Sequence, residues 1–402
     1  MQHPTDVRPE IDLVSGDFWA TDPHDALTWL RHHDPVHRDE RSGVWGITRH
    51  ADIRDVSRRP EDFSNAQGIR PDAPAVPMMI DMDDPEHAKR RKLVSKGFTP
   101  RHVRESEADV RRACTEIIDA VCESGACDFV RDIAAPLPMI MIGDALGVAA
   151  EDRAQLLAWS DDLMCALTGL DDEAVLVRSA EAWTGFSEYM APLIEQRRAH
   201  PTDDLISTLV HAEVDGHRLD HESIVHESLL ILIGGDETTR HVITGGMYQL
   251  LRHPDQHRAL VDDPQLISQA VEEMLRWVSP IKNMARTVTH DLELRGRELH
   301  EGDKLLLLYP SGNRDEDVFD EPFRFDIVRY PNDHVAFGFG PHFCLGSNLA
   351  RVELRVMFEE LTRRLPDLEL VGDEPPPLRA ANFVSGYESM PVRFSPTAPV
   401  GR

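Results

Sequence analysis

One cysteine in this chain stands apart from the other four. Phe337-Gly338-Phe339-Gly340-Pro341-His342-Phe343-Cys344-Leu345-Gly346 sets Cys344 on a glycine-rich loop directly ahead of an amphipathic run, Ser347–Leu365. Glycines at 338, 340 and 346 permit positive φ and close backbone approach, and the N–H groups of a loop and helix start can hold sulfur as thiolate. That environment suits a soft metal ligand; the alternative for an isolated cysteine is a small buried hydrophobe. Cys114, Cys122, Cys127 and Cys165 lack CxxC spacing and take the second interpretation. A second constellation is Leu229-Leu-Ile-Leu-Ile-Gly234-Gly235-Asp-Glu237-Thr238-Thr-Arg240. Two adjacent glycines inside a helix cost about 1 kcal/mol each relative to alanine, so a bound group is expected to approach there. Glu273 and Arg276 stand at i, i+3, and His87 and Arg91 at i, i+4, each pair on one helical face.

These residues need long helices to hold them, and the spacing of apolar residues supplies the candidates. Helical patterns cover 25–32, 50–58, 85–95, 100–124, 137–146, 149–167, 172–200, 203–212, 220–252, 264–278 and 345–365, with the glycine pair in the middle of the longest. Val36–Ile47 reads as a hairpin, and short strands are expected at 292–294, 304–308 and 383–394. Residues 63–84 carry three prolines and read as a long functional loop. With no repeat or Gly/Ser linker, residues 1–402 are expected to form one domain, mainly α with a minor β portion, behind a flexible arm at 1–15.

Composition excludes several functions. Lys and Arg number 43 against 71 Asp and Glu, a formal charge of −28, which disfavours nucleic acid and anionic membrane surfaces. Five cysteines and no N-terminal apolar segment point to a cytoplasmic protein, and no apolar run reaches the roughly 20 residues of a membrane anchor.

The F-G-F-G-P-H-F-C-L-G loop resembles the haem-binding loop of the cytochrome P450 family. Gly234-Gly235-Asp236-Glu237-Thr238-Thr239 resembles that family's oxygen-binding helix kink, and Glu273-Met-Leu-Arg276 its buried E-x-x-R pair. The resemblance covers about residues 10–395 and implies the family's triangular prism, with a long central helix over haem b. Cys344 would be the axial ligand of the iron, and Phe337, Gly346, Gly234 and Gly235 would pack on the cofactor. His87, Arg91, Arg286 and His342 would contact its propionates. Thr238 would hydrogen-bond dioxygen while Glu237 relays protons. Arg324, in Pro322-Phe-Arg-Phe325, would complete a structural triad with Glu273 and Arg276.

The family's activity is insertion of one oxygen atom from O2 into a C–H bond. A monomer served by a separate ferredoxin and ferredoxin reductase is implied, with Arg90, Lys92, Lys96, Arg351 and Arg355 as docking cations. Segments 80–85, 280–286 and 382–391 look most like actinobacterial enzymes that oxidise the side chain of cholesterol or cholestenone at its terminal methyl, on to the acid. Met78, Met79, Ile80, Ile233, Val278, Ile281, Met284 and Val384 would then face the substrate. Other monooxygenase substrates (a fatty acid, terpenoid or polyketide), a peroxide-driven enzyme or dehydratase, and a haem-thiolate sensor are the rivals. The Glu237–Thr238 pair counts against the non-monooxygenase alternatives.

Overall fold

The computed structural model describes residues 8–165, 173–372 and 374–401. The helices that matter for the site are α1 (His50–Ser57), α2 (Glu86–Val94), α3 (Pro136–Leu146), α4 (Glu173–Ala199), α5 (His221–Arg252), α6 (Ile267–Val278) and α7 (Ser347–Arg364). The minor β portion is led by a five-stranded sheet of β1 (Val36–Arg38), β2 (Trp45–Ile47), β3 (Phe63–Ser64), β4 (Asn283–Val288) and β5 (Lys304–Leu308), in the order β1-β2-β5-β4-β3. β2 and β5 are parallel; every other neighbouring pair is antiparallel.

Helix α5 organises the molecule. It starts where Asp220 accepts the Ser223 N–H at 2.8 Å, an N-cap, and it packs on α3, α4, α6 and α7. Its N-terminal half, through Ile224, Val225, Leu229 and Leu232, belongs to a core shared with α3 and α4. Its C-terminal half, through Val242, Ile243, Met247 and Leu250, belongs to a second core shared with α6 and α7. The glycine pair and Thr238 lie in the short stretch between the two.

Several elements differ from expectation. Pro254–Asp262 is helical, with proline at its first turn, where a missing N–H costs nothing. The stretch holding Arg286 is a strand, and burial of nearly every residue on both of its faces removes the alternation that would mark it. Of the strand expected at 383–394 only Pro391–Arg393 forms; Val384 instead makes an isolated bridge to Ile281. The expected 100–124 helix is two, Pro100–Glu105 and Glu107–Val121. Of the arm expected at 1–15, residues 1–7 lie outside the described residues.

Candidate active site

A cavity of about 610 Å³ lies under the middle of α5, within the range of small-molecule and cofactor sites. Cys344 sits on its wall, and the cavity is what the side chain is exposed to. The loop is fixed from several sides. Gly338 and Gly340 take φ of 70° and 73°, and a Cβ on Gly340 would lie 2.1 Å from the Ser57 carbonyl oxygen, so only glycine lets the loop reach the end of α1. The Cys344 N–H donates to the Phe337 carbonyl at 2.9 Å. The Arg351 guanidinium lies over the Phe337 ring at 4.6 Å while it grips Glu272 at 2.7 and 2.9 Å. Burial pushes the Cys344 thiol up; the N–H groups of Gly346 and Ser347 and the charges of Arg91 and Arg351 pull the other way. Burial likewise pushes Cys127 up to about 12 and raises Cys114 further, so neither is poised as thiolate. The Cys165 side chain lies outside the described residues.

The cavity wall gathers two guanidiniums and two imidazoles. His87 and His342 stack with ring centroids 3.9 Å apart, and Arg91 and Arg286 line the same space. Arg91 donates to the Phe343 carbonyl at 2.5 Å and Arg286 to the Ala285 carbonyl at 2.7 Å. Among the described residues neither has a carboxylate partner, and only His87 has one, Asp84 at 3.2 Å. Burial, then His87, Arg286 and Arg91, push His342 down to about 2. Two guanidiniums without a carboxylate partner, beside two imidazoles that can donate hydrogen bonds, suit an anion from outside the chain.

Opposite Cys344, a Cβ on Gly234 would meet nothing within 4 Å, whereas one on Gly235 would strike the Ile142 side chain of α3 at 2.6 Å. The two glycines therefore divide the work: Gly234 leaves the cavity open and Gly235 admits α3. The Thr238 hydroxyl is on the wall and donates to the Gly234 carbonyl at 2.8 Å.

Haem fits this set of residues. One thiolate, a cation cluster suited to propionates and an open glycine face converge on one cavity. Among the described residues no group of three or more His, Cys, Asp or Glu could hold a bare metal ion, so a metal at Cys344 has to bring its own ligand frame. Phe337 and Gly346 also line the cavity.

Three sequence-level assignments change. Arg324 is exposed and pairs with Glu321 at 3.0 Å; Arg329 takes the third place beside Glu273, at 3.2 Å, because the turn from Asp326 brings it back over α6. Glu273 and Arg276 themselves are fully buried and joined at 2.7 Å. Val278 does not line the cavity; it packs against α5 about two turns beyond Thr238, where a Cβ on Gly245 would meet it at 2.7 Å. Met78, Met79, Ile80, Ile233, Ile281, Met284 and Val384 do line it. Glu237 does not: it is 1% exposed and engaged with Arg240, His241 and Arg379. Burial alone would raise its carboxyl, but His241 and the two guanidiniums outweigh that and hold it well below the usual range. The cations expected to dock a partner are engaged too, Arg90 with Glu227, Lys92 with Asp215, Lys96 with the Glu213 carbonyl, Arg351 with Glu272 and Arg355 with Glu359.

Sequence reasoning did not find Asp236 or Glu227. Asp236 is fully buried with neither carboxylate oxygen hydrogen-bonded, and burial pushes it up to about 7. Glu227 accepts the Met79 N–H at 2.8 Å and Arg90 at 3.2 Å, tying the cavity loop to α5.

Comparison with known proteins gives a consistent picture. A cytochrome P450 family model matches residues 107–385. A steroid C26-monooxygenase of Mycolicibacterium smegmatis is 55% identical over 395 residues, 98% of each chain. Its namesake of Mycobacterium tuberculosis is 53% identical, covering 98% of this chain and 99% of that one. A cytochrome P450 structure from Mycobacterium marinum, solved with pseudoionone, superposes with a TM-score of 0.87 at 37% identity, over 97% of this chain and all of that one.

Proposed function

This chain belongs to the cytochrome P450 family, and on that premise we propose that it oxidises the terminal methyl of a steroid side chain, inserting one oxygen atom from O2. The observation that carries the substrate class is identity above half, over nearly the full length, to steroid C26-monooxygenases. The cavity is compatible with it, for the walls between α5, the 78–80 loop and Ile281–Met284 are apolar and long.

When bound, the haem supplies reductive activation of O2 and transfer of an oxygen atom to carbon. The protein holds the cofactor and handles substrate and protons. Cys344 is the iron ligand, and its neighbouring N–H groups and cations favour the thiolate. His87, Arg91, Arg286 and His342 receive the propionates. Met79, Ile80, Ile233, Ile281, Met284 and Val384 exclude water from the carbon to be oxidised and hold it in place. Thr238 can exchange its bond to the Gly234 carbonyl for one to dioxygen. Glu237, turned from the cavity and paired with Arg240 and Arg379, supports proton delivery toward Thr238 through that charged network rather than by carrying a proton into the cavity itself. Electrons come from a redox partner, for which a ferredoxin with its reductase is the reading. Among the described residues no helix is long and apolar enough to cross a membrane, and a monomer in the cytoplasm accords with the acidic composition.

Two experiments test the reading. Cys344→Ser abolishes the thiolate-type absorption of the reduced carbon monoxide complex, while Cys114→Ser and Cys127→Ser keep it. Titration of the holoprotein with sterols and with fatty acids gives a spin-state shift with sterols at lower concentration; a preference for fatty acids contradicts the steroid assignment.

A further inference from the structure

The turn that carries Met78, Met79 and Ile80 along the cavity wall is held by a residue of another element. Met79–Asp81 is a single turn of 3-10 helix with no side-chain cap of its own. Its closing bond runs from the Asp81 N–H to the Met78 carbonyl at 3.0 Å, which leaves the Met79 N–H without an acceptor inside the turn. Glu227 of α5 supplies one, its Oε1 accepting that N–H at 2.8 Å. The same oxygen takes Arg90 Nη1 at 3.2 Å, and Arg90 reaches on to the Pro77 carbonyl at 3.1 Å and the Ser223 hydroxyl at 2.9 Å. A carboxylate and a guanidinium therefore join the 76–80 loop, α2 and the start of α5.

Packing alone does not call for a carboxylate there. Glu227 is fully buried, its Oε2 has no hydrogen-bond partner among the described residues, and burial raises its carboxyl to about 7 against the pull of Arg90 and the Met79 N–H. A buried oxygen left unpaired is costly, so its presence calls for a reason. The reason lies in what the turn holds. Ile80 packs in one cluster with Ile233, Ile281, Met284 and Val384, and Ile233 adjoins Gly234, whose open face fronts the cavity. The side chain that Glu227 places is thus part of the wall around the carbon to be oxidised.

We propose that Glu227 is a positioning residue for the oxidation: by accepting the Met79 N–H it fixes the place of the 78–80 wall against α5, and so decides which tail carbon of the sterol is presented for reaction. Arg90 orients the carboxylate for that bond. With the bond lost, the wall moves away from α5 and the tail gains room to present carbons other than its terminal methyl. The inference rests on the steroid reading and adds what sets the position of attack.

Two variants separate the hydrogen bond from the charge. Glu227→Asp keeps the charge but is one methylene too short to reach the Met79 N–H, whereas Glu227→Gln keeps an acceptor oxygen at full reach and gives up the charge. Haem content and the thiolate-type band of the reduced carbon monoxide complex check that both fold. With a sterol, reconstituted Glu227→Asp gives alcohols on neighbouring tail carbons as well as on the terminal methyl, and its dissociation constant for the sterol rises about tenfold, the span of one charge-assisted hydrogen bond. Glu227→Gln keeps the parent's product and stays within about twofold of its affinity. Amide exchange over residues 76–81 quickens in Glu227→Asp alone. A Glu227→Asp variant with the parent's product and exchange, or a Glu227→Gln variant that scatters oxidation as widely, overturns the inference and leaves the steroid reading standing; so does loss of haem from both, which marks a structural role. A parent that oxidises no sterol overturns that reading instead, and the exchange rates still decide whether Glu227 holds the turn.

Discussion

Arg379 Nη1 lies 3.2 Å from both carboxylate oxygens of Glu237, so the acid that the sequence assigns to proton relay faces a guanidinium 142 residues away rather than the cavity. Arg240, one helical turn on, and His241 complete the shell. Glu237 and Thr238 are adjacent in sequence but separated in role. Thr238 meets the substrate space, and Glu237 neutralises buried cations.

Thr238→Ala and Glu237→Gln are accordingly expected to part company in stability while both uncouple turnover. Thr238→Ala leaves the substrate-induced spectral shift intact and costs less than about 0.5 kcal/mol, but diverts reducing equivalents to peroxide or water. Glu237→Gln does the same and also loses about 3 kcal/mol, because Arg240 and Arg379 are left without their counter-charge. The depressed carboxyl fixes the sign with pH. Its contribution is fully present above the unfolded-state value of about 4.3 and is lost as pH falls through the folded value. Product formed per reducing equivalent, together with denaturant unfolding at neutral pH, checks both; a Glu237→Gln variant as stable as the parent contradicts the ion-pair role.

Asp236, next to it on α5, behaves in the opposite sense. Its folded value is raised to about 7, chiefly by burial, so the stability it allows is present below the unfolded-state value of about 3.9 and is lost as pH rises through 7. Asp236→Asn should gain about 2–4 kcal/mol of stability relative to the parent at pH 8 and almost none at pH 3.5, because the loss is spread between about pH 4 and pH 7. Unfolding midpoints at the two pH values decide it, and an equal gain at both would show that charge is not the cause.

The Glu273–Arg276–Arg329 cluster makes a third comparison. Arg329→Ala breaks a buried network and should cost about 3–5 kcal/mol and lower haem retention. Arg324→Ala, at an exposed surface pair, should stay within about 0.5 kcal/mol of the parent. Denaturant midpoints and haem content of the purified variants measure the difference, and a larger loss at Arg324 would reverse the assignment.

Local pattern and motif made much of this legible. The cysteine loop, the capped 32-residue α5 and the basic residues at 87, 91, 286 and 342 lie where their spacing and the family resemblance put them. What stayed hidden depends on partners distant in sequence. Whether Arg324 or Arg329 meets Glu273 is decided by one tight turn at Asp326. The orientation of Glu237 is decided by Arg379, and that of Val278 by the close approach of Gly245. Glu227 carries no motif and becomes visible only once Met79 and Arg90 are brought beside it.

The position of the new oxygen tests the account most directly. Holoprotein reconstituted with a ferredoxin, its reductase and a sterol under 18-O-labelled dioxygen should give products labelled on the terminal methyl of the side chain alone, as alcohol and then acid. A sterol with its side chain truncated should not turn over. Label on the ring system, or turnover of the truncated sterol, would contradict the account.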